Sequence, residues 1–293
     1  MSEGRRAFFR GLARSAAEVA GPQPAPPEEV APADPGPAAP DGTAAAPAGL
    51  GEAEIDRYSR QLVLPEWSEA AQLALREASV LVVGAGALGS PVASYLAGAG
   101  VGRLGIVDDD AVELSNLPRQ TLHFTPDLGV AKAHSAAAKL RFLNPEVVVE
   151  PYQARFAPSM LEGADLVVDC SDSFATRYEV NAACCAARIP LVEGGVIGLS
   201  GLVMAIRPGE SACYRCAFPE PPPPGSAPTC AEAGVLGPAA GVIGSLQALE
   251  ALKLLAALDG ALLGAFLQVD LHDHAFLRVA VSRRDGCPDC AGI

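Results

Sequence analysis

The fold of this chain of 293 residues is decided by residues 80–89, Val80-Leu81-Val82-Val83-Gly84-Ala85-Gly86-Ala87-Leu88-Gly89. The apolar run predicts a short buried strand, and the small residues of 88–99 predict a helix packed closely on it. A glycine turn between a strand and a helix presents backbone N–H groups and the positive end of the helix dipole to a phosphate. We therefore predict an adenine-nucleotide turn at Gly84, Gly86, Ala87 and Gly89. The simpler alternative is a tight strand–helix turn that binds nothing.

Strands and helices alternate on both sides of this turn. An amphipathic stretch covers 55–76, strands are predicted at 103–108, 147–152, 165–170 and 189–192, and helices at 131–143 and 174–188. After residue 195 the pattern changes to an antiparallel strand at 199–206, a proline-rich loop at 219–228, a helix at 234–258 broken near Gly237-Pro238, and closing strands at 265–269 and 276–281. We predict an α/β fold with a Rossmann-like, doubly wound, mainly parallel sheet and antiparallel C-terminal strands.

Composition sets the domain boundary and excludes two classes of partner. Residues 1–50 are mostly Ala, Pro and Gly and are predicted to be disordered, whereas 51–293 carry the core of one domain. The net charge of −13 argues against nonspecific nucleic-acid binding, although acidity also serves solubility alone. No apolar run approaches the ~18 residues that span a bilayer, so no membrane partner is expected.

The N-terminus resembles a twin-arginine export signal at Arg5-Arg6, but the stretch after it carries Arg14 and Glu18 where such a signal needs an apolar run. A short amphipathic helix or disorder fits this segment better. We therefore expect a cytoplasmic protein.

The polar side chains after the second strand help to distinguish between two functions of a bound nucleotide, hydride transfer and reaction at a phosphate. Asp108 lies at the end of that strand, where an acid binds ribose hydroxyls in dinucleotide-binding folds. Asn116, Arg119, Gln120 and Lys132 follow it. Attack at phosphorus develops negative charge that fixed cations and amide donors stabilise. The grouping favours ATP chemistry over hydride transfer, although Arg119 or Lys132 alone would be read as a solvated surface charge.

A second acidic segment, Asp169-Cys170-Ser171-Asp172, follows the fourth strand. The carboxyl ends of parallel strands are where open α/β sheets bind ligands. Asp172 is therefore predicted to hold Mg²⁺ against the phosphates, because that ion prefers carboxylate and phosphate oxygens. The alternative is that Asp172 only caps the helix that begins at Phe174.

The eight cysteines fall into three groups. Two Cys-x-x-Cys pairs, Cys213 with Cys216 and Cys287 with Cys290, predict a closed structural Zn²⁺ site, and two redox dithiols are the alternative. Cys230 follows the proline-rich loop and is a further candidate nucleophile, although a lone cysteine is more often unreactive. The remaining three, Cys170, Cys184 and Cys185, are predicted to be core residues.

Together these motifs resemble the molybdopterin-synthase adenylyltransferases of the MoeB/ThiF/HesA type, which are related to ubiquitin-activating enzymes. The resemblance runs from about Arg57 to Cys290 and rests on segments 57–61, 84–89, 108–110, 114–120, 169–172, 229–230 and 241–248, on Lys132 and on the paired cysteines. It implies a homodimer that uses ATP and Mg²⁺ to adenylate the C-terminal glycine of a small ubiquitin-like sulfur carrier ending in Gly-Gly. The molybdopterin synthase small subunit is the first candidate carrier, and a thiamine-pathway or other carrier is the alternative.

The resemblance also implies residue roles. Lys132 and Arg119 would hold the phosphates, Asp172 the metal and Asp108 the ribose, while Arg60 would reach the ATP of the neighbouring subunit. The other nucleotide contacts would come from Asp110, Ser115, Asn116, Gln120 and Ser173. Ala87 replaces a glycine common in the family turn, and Ser173 stands where Asn is common. No rhodanese-like domain follows Cys290, so a separate sulfur donor is expected, and the role of Cys230 stays open.

Two other classes of function compete with this one. An NAD-dependent oxidoreductase would need an acid–base group and a substrate domain, and the four histidines, His123, His134, His272 and His274, lie in no recognisable setting of that kind. A non-catalytic scaffold would have no need of Arg119, Lys132 and Asp172 together.

Overall fold

The computed structural model describes residues 49–221 and 233–293. Within them, one eight-stranded sheet has the order β3-β2-β1-β4-β5-β6-β7-β8. The strands are β1 Ser79–Val83, β2 Arg103–Val107, β3 Val148–Tyr152, β4 Leu166–Asp169, β5 Leu191–Ile197, β6 Ser200–Ile206, β7 Ala265–Asp270 and β8 Ala275–Ala280. Strands β1 to β5 pair in parallel, and β5 to β8 pair antiparallel. The predicted α/β class and the change to antiparallel strands are confirmed.

The helices are α1 Glu52–Leu62, α2 Glu69–Glu77, α3 Gly89–Ala99, α4 Lys132–Leu143, α5 Phe174–Ala187, α6 Tyr214–Ala217 and α7 Gly237–Leu255. Short 3₁₀ turns lie at Leu114–Asn116, Thr125–Asp127 and Pro158–Leu161. Alternate residues of β1 face opposite sides of the sheet: Val80 and Val82 pack under α2, α3, α4 and α7, whereas Leu81 and Val83 pack under α5 and α6. Two apolar layers therefore cover the two faces.

The structure resolves one predicted amphipathic stretch into separate elements and corrects one predicted helix. The stretch 55–76 is two helices, because the Ser68 side chain accepts a hydrogen bond from the Ala71 N–H at 3.1 Å and starts α2. The predicted break near Gly237-Pro238 is instead the beginning of α7. A proline in the first turn of a helix loses no hydrogen bond, because the N–H groups there have no intrahelical partner.

The order of the sheet reverses between β1 and β4. The chain runs from β1 through β2 to β3 on one side, then returns to β4 and β5 on the other. Open α/β sheets bind ligands outside the carboxyl ends of the strands at such a reversal. The glycine turn lies at this point, between β1 and α3.

The described residues contain no helix long and apolar enough to cross a membrane. The predicted disorder of residues 1–50 and most of the predicted loop 219–228 lie outside the described residues. Of the first 50 residues only Gly49 and Leu50 are described. Their backbone is held by Arg76, which donates to the Gly49 carbonyl at 3.1 Å, and by Glu69, which accepts from the Leu50 N–H at 3.3 Å.

Candidate active site

A cavity of about 510 Å³ lies at the carboxyl ends of β1, β2 and β4. Residues that are far apart in the sequence line it together. Those predicted from the sequence are Gly84, Gly86, Ala87, Asp108, Asp110, Arg119, Gln120, Lys132, Asp172 and Ser173. The fold therefore brings both acidic segments and both predicted cations to the nucleotide turn.

Close backbone contacts fix the shape of the glycine turn. Gly84 has φ +98°, and a Cβ there would lie 2.9 Å from the Cys170 carbonyl oxygen. A Cβ at Gly89 would lie 1.9 Å from the Gly84 carbonyl oxygen, so no side chain fits at the first residue of α3. Ala87 lines the cavity and is not among the described residues with positive φ, so its methyl group is compatible with the backbone.

His123 supports the same turn from beneath, a role that the sequence did not reveal. Its Nε2 lies 2.8 Å from the Ala85 carbonyl oxygen and its Nδ1 lies 2.9 Å from the Ser135 hydroxyl oxygen. Since a carbonyl oxygen only accepts, Nε2 carries the hydrogen and a neutral ring accepts at Nδ1 from Ser135. Burial lowers the pKa of His123, which favours this neutral form.

Asp108 and Lys132 both line the cavity. The Asp108 carboxylate accepts from the N–H groups of Ala85 and Asp110, at 2.8 and 2.9 Å. Burial raises the pKa of Asp108, and these two bonds oppose that rise. The Lys132 ammonium is buried and lies 2.8 Å from the exposed Asp110 carboxylate. The cavity thus holds a pre-positioned cation beside the predicted ribose acid.

Arg119 and Gln120 enter the cavity from a 3₁₀ turn, and the residues of that turn orient them. The Arg119 Nη1 donates to the Ser115 carbonyl at 2.7 Å. The Asn116 carbonyl accepts from the backbone N–H groups of Arg119 and Gln120, at 3.1 and 3.0 Å. Ser115 and Asn116 themselves do not line the cavity, so their closest role in the structure is to position Arg119 and Gln120.

Ser173, and not Asp172, caps α5. The Ser173 hydroxyl oxygen accepts from the Thr176 N–H at the helix start. Asp172 is exposed on the cavity wall, and no capping contact occupies its carboxylate. The alternative that Asp172 serves as the helix cap is therefore wrong, and Asp172 remains available on the cavity wall.

The structure adds cavity residues that the sequence motifs missed. Arg155 and Phe156 follow the end of β3, and Arg177 lies in the first turn of α5. Arg155 is exposed and pairs with Asp109 at 2.9 Å on the rim. Arg155 and Phe156 carry no sequence motif. Only their position after β3 indicates a place in the site, because β3 ends at the same edge of the sheet as β1, β2 and β4.

Arg177, which lines the cavity, belongs to a buried ionic cluster. Glu193 and Asp169 are fully buried, and the Arg177 Nη1 lies 3.6 Å from a Glu193 oxygen. Burial raises the pKa of both carboxyl groups, and each also acts on the other. Two carboxyl groups beside one guanidinium group are balanced in charge when they share a single proton.

Two further predicted residues, Arg60 and Gly89, lie outside the cavity lining. Arg60 is exposed on α1 and does not line the cavity, and Gly89 lies behind the turn as the first residue of α3. Cys230 lies outside the described residues. The predicted burial of Cys170, Cys184 and Cys185 is confirmed.

The four paired cysteines meet at one buried point. Their Sγ atoms all lie within 4.8 Å of one another, and neighbouring pairs are 3.8, 3.7 and 3.4 Å apart. Zn–S bonds of about 2.3 Å in a tetrahedron place sulfurs roughly 3.8 Å apart. The cluster has the size and the donor set of a metal site with four thiolates and no open position.

Comparison with known proteins agrees with this arrangement. The ThiF family matches residues 58–289. The chain belongs to the ThiF family. It is 48% identical over 246 residues to a sulfur carrier protein adenylyltransferase of Thermus thermophilus, covering 81% of this chain and 91% of that protein. It is 49% identical over 248 residues to the adenylyltransferase and sulfurtransferase MOCS3 of Sus scrofa, covering 83% of this chain and 54% of that protein.

The chain thus spans about half the length of the MOCS3 relatives that it matches. A SAMP-activating enzyme E1 of Haloferax volcanii is 46% identical and is covered to 90% of its length. Among solved structures, E. coli MccB with ATP has a TM-score of 0.71 at 24% identity, covering 82% of this chain and 76% of that one. This last likeness concerns the fold.

Proposed function

We propose that the protein is an ATP-dependent adenylyltransferase that activates the C-terminal glycine of a small ubiquitin-like sulfur carrier. The observation that carries the proposal is the convergence of Arg119, Gln120, Lys132 and Asp172 on one cavity at the glycine turn. A dinucleotide oxidoreductase has no use for two cations and an acid around the phosphates. The ThiF family membership and the names of the Thermus and Haloferax relatives support the same reaction.

The reaction joins two anions, which explains the cations. A carboxylate oxygen of the carrier's last glycine attacks the α-phosphorus of ATP, the bond from that phosphorus to the bridging oxygen breaks, and pyrophosphate leaves. The product is an acyl-adenylate, which a sulfur nucleophile attacks far more readily than a carboxylate. Lys132 and Arg119 would stabilise the charge that builds up on the phosphate oxygens. Lys132 is suited to this because its ammonium is buried and already fixed by Asp110.

The remaining cavity residues would bind the nucleotide. Asp108 would accept from the ribose hydroxyls, since its carboxylate lies at the end of β2 beside the turn. Gln120 is buried and lines the cavity, and its Oε1 has no hydrogen-bond partner among the described residues, so this oxygen would accept a hydrogen bond from the ligand. Arg155 and Phe156 border the cavity toward β3, beyond the ribose acid, and would contact the base.

Two metals fit the described side chains. Asp172 offers an exposed carboxylate on the cavity wall and would hold Mg²⁺, which would neutralise phosphate charge when bound. The four clustered thiolates would hold a structural Zn²⁺, and their spacing suits its tetrahedral geometry. A redox role suits them less, because all four sulfurs are buried together in one cluster.

The active enzyme would be a homodimer in which Arg60 reaches the ATP of the partner subunit. This proposal accounts for the exposed position of Arg60 outside its own cavity. Large apolar side chains are exposed on the same part of the chain: Val63 and Leu64 follow α1, and Tyr95 of α3 lines a shallow cavity together with Gln61, which follows Arg60. A second subunit would cover such side chains.

The partners follow from the same chemistry. The molybdopterin synthase small subunit is the proposed carrier, and a thiamine-pathway carrier is the alternative. The sulfur donor is proposed to be a separate protein. Four thiolates held for a metal also suit a reducing compartment, so a cytoplasmic location is proposed.

ATP–pyrophosphate exchange tests the proposal. Radiolabelled pyrophosphate should enter ATP only when a Gly-Gly carrier is present, and carriers from the same genome can be compared for rate. Reduction of NAD without exchange would support the oxidoreductase instead. Tight binding of a carrier with neither activity would support a scaffold.

A further inference from the structure

Helix α5 connects the nucleotide cavity to the cysteine cluster. Its N-cap Ser173 and the first-turn residues Thr176 and Arg177 line the cavity. Its last turns carry Cys184 and Cys185, which pack in the same apolar layer as the four clustered cysteines. A displacement of this one helix would therefore be felt at both sites.

One side chain on α5 holds both halves of the cysteine cluster. Asn181 is fully buried. Its Oδ1 accepts from the Tyr214 N–H at 2.8 Å, and its Nδ2 donates to the Asp289 carboxylate at 2.7 Å. Tyr214 lies between Cys213 and Cys216, and Asp289 lies between Cys287 and Cys290. Each cysteine pair is thus bonded to the same amide group.

Neighbouring contacts close the arrangement around Asn181. The Arg215 Nε donates to the same Asp289 oxygen at 2.8 Å, and the Arg215 guanidinium lies 4.6 Å from the centre of the Tyr178 ring. The Tyr178 hydroxyl donates to the Phe218 carbonyl at 2.9 Å. Asn181, Tyr178 and Asp289 do not line the cavity, so these bonds serve no direct purpose in binding a nucleotide.

We propose that Asn181 is a positioning residue that couples the metal state of the four-cysteine cluster to the shape of the nucleotide cavity. The inference rests on the proposed nucleotide function of the cavity. With a metal in place, the two cysteine pairs have a fixed separation that matches the two bonds of Asn181. Without it, the thiol groups no longer hold the pairs together.

Loss of the metal would affect the cavity because Asn181 is buried, so that water cannot replace its lost hydrogen-bond partners. If the pairs separate, either Tyr214 or Asp289 moves away from Asn181, and a buried polar group loses its partner. Helix α5 then shifts to restore the bonds, and Ser173 and Arg177 shift with it. Asp172, which precedes the cap, is carried along. Metal loss at the cysteine cluster should therefore weaken nucleotide binding.

The test removes, and then reverses, the hydrogen bond between Asn181 and Asp289. Asn181→Leu removes both hydrogen bonds at similar volume. Asn181→Asp keeps an acceptor for the Tyr214 N–H but sets two carboxylates against each other. The double exchange Asn181→Asp with Asp289→Asn restores one donor and one acceptor with their positions reversed. Asn144→Leu is the matched control, because Asn144 is also buried and donates to the Tyr58 hydroxyl and the Ala97 carbonyl, far from the cysteines.

Three quantities are measured on the full chain: the rate of zinc release to a chromogenic chelator, the Kd for ATP by calorimetry, and Tm. We expect Asn181→Leu and Asn181→Asp to release zinc about 10-fold faster or more, because loss of hydrogen bonds around metal ligands typically lowers metal affinity by about 10-fold or more. Both should also bind ATP more weakly, whereas the double exchange should recover both properties. Asn144→Leu should lower Tm alone.

Each result has a defined meaning. If Asn181→Leu releases zinc quickly but binds ATP as the wild type does, the coupling is refuted. If the double exchange recovers nothing, the bond between 181 and 289 is not the route. If wild-type protein fails to bind ATP, the proposed function fails instead, and zinc release still decides whether Asn181 holds the cluster. Zinc release unchanged in all variants would overturn the inference entirely.

Discussion

Helix α5 contacts both the nucleotide cavity and the cysteine cluster, but the two sites are built in opposite ways. The cavity is open and lined by charged groups, and some of its polar atoms, such as the Gln120 Oε1, have no partner among the described residues. The cluster is closed: its four sulfurs are buried, and they meet within 4.8 Å. The cavity offers polar atoms without partners to a ligand, whereas the four sulfurs of the cluster face one another.

This difference predicts that the cavity contributes mainly to the reaction and the cluster mainly to stability. Removal of a charged group from the open cavity should impair the reaction and leave the fold intact, because few contacts within the protein depend on that group. Removal of a thiol from the closed cluster should reduce stability first, because its contacts join the middle of the chain to the C-terminal end. Four substitutions test this contrast.

The largest effect is expected for Lys132→Ala. Loss of one group that stabilises a transition state lowers the rate about 100-fold or more, or roughly 3 kcal/mol. The cost in stability should be small because its partner Asp110 is exposed and regains water. Carrier-dependent exchange gives the rate and thermal unfolding gives Tm. Lys253→Ala, which removes a lysine paired with Glu250 on α7, is the control and should exchange normally.

Cys213→Ser should lower the stability of the protein more than its activity, the reverse of the result expected for Lys132→Ala. A structural zinc site contributes folding free energy. A loss of about 2 kcal/mol would lower Tm by roughly 4–8 °C in a domain of this size. Zinc content should fall in parallel. Cys184→Ser replaces a buried cysteine outside the cluster and should keep its zinc, and an equal loss of Tm and metal in both variants would argue against a closed site.

Glu193→Gln tests the buried cluster beneath the cavity through pH. Burial, and then the nearby Asp169, raise the pKa of Glu193 above its ordinary value. Between the ordinary and the raised pKa the native state binds more protons than the unfolded state, so stability falls as pH rises. The variant lacks that group, so its stability should fall less steeply.

Urea unfolding at pH 5 to 8 measures this slope. A single group contributes at most about 1.4 kcal/mol per pH unit. Glu210→Gln, an exposed glutamate on the surface, should follow the wild-type slope. Parallel curves for Glu193→Gln and wild type would contradict a raised pKa.

The smallest effect is expected for Arg103→Ala. Arg103 pairs with Glu150 at 2.6 Å, but both side chains are accessible to solvent and lie outside the cavity and the cluster. Exposed ion pairs contribute about 0–1 kcal/mol. Chemical denaturation should show a change within that range, with normal exchange and normal zinc content. A larger change in the free energy of unfolding would mean that the Arg103–Glu150 pair belongs to a third region that stabilises the fold.

The sequence predicted those parts of the cavity that local rules determine. A strand, a glycine turn and a helix specify their own geometry within ten residues, and Asp108 follows because it ends the next strand. The cysteine pairs were predictable because their spacing matches metal ligation. Arg155 and Phe156 could have been found from the same reasoning, since they follow the end of β3.

The rest depended on contacts between distant segments. His123 meets Ala85 across 38 residues and Asn181 meets Asp289 across 108, and no pattern in the sequence announces either bond. The Arg177–Glu193 pair depends on how α5 lies against β5. The amphipathic pattern of 55–76 does not mark where one helix ends and the next begins, because that boundary depends on the cap at Ser68.

The most direct test of the account is intact-mass spectrometry of a Gly-Gly carrier incubated with this protein and ATP. Adenylation predicts a carrier whose mass has increased by one AMP, which appears with ATP and vanishes when pyrophosphate is added. The same carrier with its C-terminal carboxyl group amidated should stay unmodified. A Gly-Gly carrier that never gains AMP, or an amidated carrier that does, would contradict the claim that this cavity activates a terminal carboxylate.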